Sequence, residues 1–310
     1  MLNQRKFTVY AGGAGFYGPR VNAIALLRRL RRFIAGVAVS AVLLPSVRAA
    51  GPDTTAIAQQ AVAAYRKGDI PAAIGLATQL TEAAPKQPSG WFLRAQLHTA
   101  QRQHAKAVAD YSEVIKLDPG SPNAWQARGE ANFKLGKITE SIADFDKFLE
   151  LVPAQKPQHW QRGIALYYAG RFKEGREQFE IHQTVNSNDV ENAVWHFLCA
   201  ARADGLEKAK KGLIPIEGDG RVPMAQVHQL FGGKARPEDV LAAAKAAPAE
   251  TRAGEPLFYA HLYLGIYFEA IGDAKQARDY IFKAAERADR NGYMGDVARV
   301  HAEILRKREK

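Results

Sequence analysis

The 310-residue chain is 47% hydrophobic and 24% charged, the balance of a folded protein of one or two domains, which excludes a low-complexity or collagen-like chain. Its net charge of +11 is unevenly placed: residues 1–49 hold eight basic side chains and no acid, leaving 35 basic against 32 acidic residues beyond them. The body therefore lacks the basic excess of a nucleic-acid binder, and the single cysteine, Cys199, excludes an intramolecular disulfide and reads as a small core residue in the apolar run 194–201.

At the start of the chain, Arg28-Arg29-Leu30-Arg31-Arg32 precedes an apolar stretch over 33–44 and then Pro45-Ser46-Val47-Arg48-Ala49-Ala50. This is the basic, apolar, small-residue layout of a secretory signal. Val47 and Ala49 suit the −3 and −1 pockets of a signal peptidase, which predicts cleavage before Ala50 and an exported, periplasmic or secreted, protein. The apolar stretch falls short of the roughly 20 residues that a spanning helix needs, so no permanent membrane span is expected; a tether formed by an uncleaved signal is the alternative. Upstream, Gly13-Ala14-Gly15-Phe16-Tyr17-Gly18 matches G-x-G-x-x-G. No acid follows it before Asp53 to take a ribose, and the next apolar run is the signal, so no nucleotide site is expected.

Beyond the leader a 34-residue period appears, and it resembles the tetratricopeptide pattern of paired helices. The clearest copy, 122–155, has Trp125 at its fourth position, Gly129 at the eighth, Gly136 at the fifteenth, Phe145 at the twenty-fourth and Pro153 near its end. The copy before it, 88–121, places Trp91, Ala95, Ala107, Tyr111 and Pro119 in the same register. A weaker copy, 54–87, keeps Gly68-Asp69, Ala73 and Pro85; a fourth, 156–189, keeps Gly163, Gly170 and Phe179 but moves its tryptophan to Trp160. Small residues at the eighth and twentieth places let helices A and B approach, large ones fill the space between neighbours, and glycine and proline end the helices. The pattern predicts an all-α right-handed superhelix whose A helices line a concave face.

After 189 the register loosens. Residues 190–213 read as a degenerate repeat, and 214–257 as an insertion: a loop from Ile214 to Pro223, a short helix from Met224 to Phe231, and a helix opened by Pro237. A final repeat begins near Phe258, marked by Gly265, Gly272-Asp273, Ala277 and Ala284, with a terminal capping helix from about Met294 to Arg308.

From Asn192 onward the order of parts resembles the NlpI family of bacterial tetratricopeptide lipoproteins. The shared strings are Val227-His228-Gln229-Leu230-Phe231-Gly232-Gly233, Glu238-Asp239-Val240-Leu241, and Phe258-Tyr259 with Tyr263-Leu264-Gly265-Ile266-Tyr267-Phe268 leading into Gly272-Asp273. The resemblance implies an envelope adaptor that brings peptidoglycan hydrolases and a processing protease together, often as a homodimer. The family's acylated cysteine is missing here, which points to a soluble periplasmic form.

The chemistry motifs are sparse. The eight histidines are scattered, with no H-E-x-x-H, no cysteine pairs, no nucleophile elbow and no phosphate loop. No cofactor, metal or small-molecule substrate is expected, and the chain is read as a non-enzymatic scaffold for protein or peptide partners. Two alternatives stay open: an enzyme with an unrecognised site in 214–257, and an intracellular scaffold. In the repeat register, the concave lining falls on Phe92, Gln96, Gln126, Glu130, Phe133, Trp160, Ile164 and Tyr167. This lining is aromatic and amide-rich, without the lysine and asparagine of a carboxylate clamp; Trp160 and Tyr167 are the expected anchors, with packing against a neighbouring helix as their other reading.

Overall fold

The computed structural model of the protein describes residues 53–248 and 255–308. The signal, its cleavage site and the glycine motif at 13–18 lie outside the described residues. Within them the chain is all-α and no strand occurs. The first four helix pairs are α1 (Thr54–Arg66) with α2 (Ile70–Ala83), α3 (Pro88–Ala100) with α4 (His104–Leu117), α5 (Pro122–Lys134) with α6 (Ile138–Leu151), and α7 (Trp160–Tyr168) with α8 (Phe172–Gln183). A 3-10 segment, Pro153–Gln158, separates α6 from α7. The degenerate repeat is α9 (Val190–Asp204) with the short α10 (Leu206–Lys211); the insertion holds α11 (Met224–Phe231) and α12 (Pro237–Lys245). A last pair, α13 (Pro256–Ala270) with α14 (Ala274–Glu286), is followed by the terminal α15 (Gly292–Lys307).

Within each pair the helices touch where the repeat pattern places its smallest residue. A Cβ added to Gly129 would lie 2.7 Å from the Phe145 ring, one on Gly163 2.6 Å from Phe179, and one on Gly265 2.7 Å from Ile281. The large partner thus fills the space that the missing side chain leaves. Ala73, Ala107 and Ala277, which the pattern assigns to helix contacts, are all fully or nearly fully buried. The turn between helices A and B needs a left-handed residue, and glycine supplies it at Gly68, Gly136, Gly170 and Gly272 with φ between 71° and 85°. At Gly68-Asp69 and Gly272-Asp273 the aspartate then caps the next helix, accepting from the amides of Ala72 and Gln276 at 3.0 Å.

Successive repeats are joined by polar contacts that recur with the same period. The indole Nε1 of Trp91 donates to the carbonyl of Pro85 at 3.0 Å, and that of Trp125 to Pro119 at 2.9 Å, tying each A helix to the proline that ends the previous repeat. Arg94 and Arg128 lie over those indoles, 4.9 Å from the ring centroids. Arg94 also pairs with Asp110 on α4 at 2.8 Å and reaches back to Thr81 on α2 at 3.2 Å. Arg128 repeats the arrangement with Asp144 at 2.7 Å and Ser112 at 3.1 Å. Arg162 continues the ladder with its partners exchanged: the carboxylate, Asp146 at 2.6 Å, now lies on the previous repeat, and an amide, Gln178, lies on its own.

The insertion is built into the C-terminal half of the core. Met224, Val227, Leu230 and Phe231 are buried against α9 and α13, and Phe231 meets Phe197 edge-on at 5.1 Å and Tyr267 at 5.4 Å. Its loop is held by Arg221, which pairs with Asp189, Asp219 and Glu191, while the Tyr263 hydroxyl donates to Glu191 at 2.6 Å. Burial pushes the Glu191 carboxyl up from its ordinary range, against the opposing pull of Arg221. His228 donates from Nε2 to the carbonyl of Ile214 at 2.9 Å. Among the described residues no helix is long and apolar enough to cross a membrane.

Because the added methyl would enter the Phe145 ring, Gly129→Ala should lower stability by about 1 to 3 kcal/mol, the usual cost of overpacking. The measurement is a drop in the urea midpoint, set against Glu140→Ala on the exposed side of α6, which should leave the midpoint nearly unchanged.

Candidate functional site: the inner face of the repeats

The A helices α3, α5 and α7 turn a row of side chains toward the inside of the superhelix, and α15 lies along it. Tyr293 of α15 stacks on Phe133 with centroids 5.3 Å apart and meets Trp160 edge-on at 5.1 Å. One turn later Asp296, whose side chain is 7% exposed, pairs with Arg102 and lies 3.6 Å from Lys134 and 3.4 Å from Arg299. Further along the helix, His301 Nδ1 meets the Tyr168 hydroxyl at 3.1 Å, and its Nε2 lies 3.0 Å from Glu269. The helix read from the sequence as a terminal cap packs on the last repeat and also crosses to repeats two, three and four. That is why nine of its residues, from Tyr293 to Ala302, are buried.

The expected lining residues divide into three groups. Phe133 and Trp160 form the aromatic slot that receives Tyr293. Gln126 and Glu130 join Gln161 and His159 in a polar cluster: Gln126 donates to Glu130 at 3.1 Å, Gln161 donates to Glu130 at 3.2 Å, and His159 Nε2 meets the Gln126 carbonyl at 2.7 Å. Phe92 and Gln96 are half-buried on α3, Phe92 edge-on to Tyr111 at 5.6 Å. Ile164 and Tyr167 do not form an open lining: they are 1% and 7% exposed. Tyr167 packs edge-on to Trp195 at 5.5 Å and to Phe172 at 5.7 Å. For Tyr167 this is the other reading of the lining, packing against a neighbouring helix, since α9 brings Trp195 over it.

Three features at this contact are unfavourable on their own. Arg102 stands where the other repeats have glycine and holds φ at 56°, a region that costs a residue with a side chain about 1 to 3 kcal/mol. The Tyr293 hydroxyl and both ring nitrogens of His104 are buried without a hydrogen-bond partner, each at a typical cost of about 1 to 3 kcal/mol. Burial, aided by Lys134, pushes the His104 imidazole down to about 4. Sequence reasoning missed Arg102, Lys134, Tyr293 and Asp296. An arginine in a glycine position was the available signal, since nothing local calls for it there.

His159 occupies the place just before Trp160 and lies edge-on to Phe145 at 4.7 Å and to Phe148 at 5.3 Å. Its Nδ1 accepts from the amide of Arg162 at 3.2 Å, capping α7, so the proton sits on Nε2 and is donated to Gln126. Burial pushes it down to about 4. No group of three or more histidine, cysteine or acidic side chains that could hold a metal occurs among the described residues.

Comparison with known proteins agrees with this architecture. Two family profiles described as tetratricopeptide repeat match residues 59–122 and 93–161. No curated protein matches. A crystal structure of a tetratricopeptide repeat protein from Parabacteroides merdae is 14% identical and superposes with a TM-score of 0.53, covering 81% of this chain and 98% of that one. A crystal structure of the protein MamA is 16% identical with a TM-score of 0.50, covering 64% of this chain and 98% of that one. These likenesses establish a tetratricopeptide-repeat fold.

The ion cluster and the buried histidines each carry a measurable consequence. Asp296→Ala removes the carboxylate shared by Arg102, Lys134 and Arg299 and should lower stability by about 2 kcal/mol or more, whereas Arg102→Gly loses one half-exposed partner but relieves the left-handed backbone and should change stability by less than about 1 kcal/mol. Urea melts of the two variants check the order. For the histidines, the unfolded chain protonates near 6.5 and the folded chain protonates His159, His104 and His261 only near 4. The unfolded state therefore binds more protons between these values, and stability should fall as pH is lowered through that window. Thermal melts from pH 7 to 4 should show the decline, and His159→Asn, which keeps a capping oxygen but cannot titrate, should make it shallower.

Proposed function

We propose that this tetratricopeptide-repeat solenoid is an exported adaptor that holds protein or peptide partners on its inner face and works in the cell envelope. The observation that carries the binding role is the slot formed by Phe133 and Trp160 beside the cations Arg102 and Lys134, a site that already accommodates a helix. Aromatic anchors flanked by charge are the usual centre of a protein interface. The insertion supports scaffolding over catalysis: Arg221, Asp219 and His228, its most chemically capable groups, and the neighbouring Glu191 are each engaged in fastening the loop. Export rests on the basic, apolar, small-residue leader ending at Ala49. The envelope assignment, with hydrolases or proteases as partners and a homodimeric form, rests on the NlpI-like strings between 227 and 273.

The test has two readouts. N-terminal sequencing of native material should begin at Ala50, and affinity capture from the envelope fraction should recover a partner that the Trp160→Ala chain holds about tenfold less tightly at unchanged helicity. Native protein retaining residues 1–30 in the cytosol would remove the export reading. Equal capture by the folded variant would remove the inner face as the site.

A further inference from the structure

We infer that the inner face of repeats two to four is a helix-binding site for a partner segment presenting an aromatic residue followed three positions later by a carboxylate, and that α15 is its resident competitor. The inference rests on the adaptor reading of that face and names the partner's chemistry. In a helix, positions three and four apart share one side, so Tyr293 and Asp296, with Val297, Val300 and His301, form a single stripe. Each mark on the stripe meets a complementary feature. The Tyr293 ring enters between Phe133 and Trp160, and the Asp296 carboxylate meets Arg102 and Lys134.

The same contact shows why α15 can be displaced. Its fit is incomplete at two places: the Tyr293 hydroxyl has no partner, and His104 has none for either ring nitrogen. A partner helix with phenylalanine at the aromatic position fills the same slot without burying an orphan hydroxyl. The shape and charge that suit α15 therefore suit such a partner better. Because α15 is tethered, its high effective concentration keeps the site closed until a partner arrives, and the closed fraction lowers the apparent affinity of any free helix.

The probe is a labelled synthetic peptide of residues 291–308, used with the full chain. A chain carrying Tyr293→Ala and Asp296→Ala, whose slot and cations are intact, should bind it about tenfold or more tightly than the native chain does. A peptide with Tyr293→Phe should bind about fivefold or more tightly than the native peptide, and one with Asp296→Ala should bind more weakly. If the opened chain does not fold, the native chain serves: saturating Tyr293→Phe peptide should accelerate hydrogen exchange in 292–307. No gain in peptide affinity by a folded opened chain, or unchanged exchange in the native one, overturns the inference. The two readings separate cleanly, because a partner captured from the envelope and not displaced by the peptide leaves the adaptor reading standing and removes this one. Peptide binding with no partner captured does the reverse.

Discussion

The arginine ladder at Arg94, Arg128 and Arg162 is the constraint from which the rest of the superhelix follows. Each guanidinium spans three helices: its own A helix, the B helix of its repeat and, for all three, the B helix of the repeat before, with the principal partners 16 positions away in sequence. A planar, five-donor group held at both ends fixes an angle as well as a distance. Apolar packing alone tolerates sliding between helix pairs, whereas these bonds do not, and the tryptophan-to-proline bonds reinforce them from the adjacent side. The rotation from one repeat to the next is thereby set, and with it the direction in which the inner face curves.

That curvature brings the last helix back to the early repeats. Asp296 and Arg102 are 194 residues apart in sequence and share an ion pair. Stacked repeats ordinarily touch only their neighbours, so their stability is a sum of local terms. A contact between α15 and repeats two to four couples distant repeats and makes the solenoid more cooperative than a linear array. The same contact also holds an unpaired hydroxyl, that of Tyr293, and an unpaired imidazole, that of His104.

Much of the fold was legible because each repeat mark has a local mechanical cause. Glycine at 129, 163 and 265 faces a large side chain 16 residues on, and the boundaries of α11 and of the turn at Gly272-Asp273 follow from turn and capping chemistry alone. The arginine ladder was equally present in the sequence as arginine every 34 residues, but its partners do not keep one pattern: aspartate lies 16 residues after Arg94 and Arg128, whereas glutamine lies there for Arg162 and its aspartate lies 16 residues before. Register arithmetic could assign a lining to the A helices but not its occupant, because it describes neighbours and says nothing of a contact that spans 194 positions. Tyr167 illustrates the difference: its register position is an inward one, yet α9 brings Trp195 over it.

An inner face bearing Phe133 and Trp160 in the open would present an apolar patch to water, a liability for any chain at high local concentration. Covering it with α15 removes that liability while leaving its chemistry in place. The cover is made of ordinary helix contacts, an aromatic ring and a carboxylate one turn apart, and not of a dedicated plug. Any helix carrying the same two groups exchanges like for like, so burial of apolar area changes little on exchange and the balance falls to the small terms, the orphan hydroxyl and the tether. Selectivity then resides in differences of a few hydrogen bonds, which is the scale on which one binding partner is preferred over another.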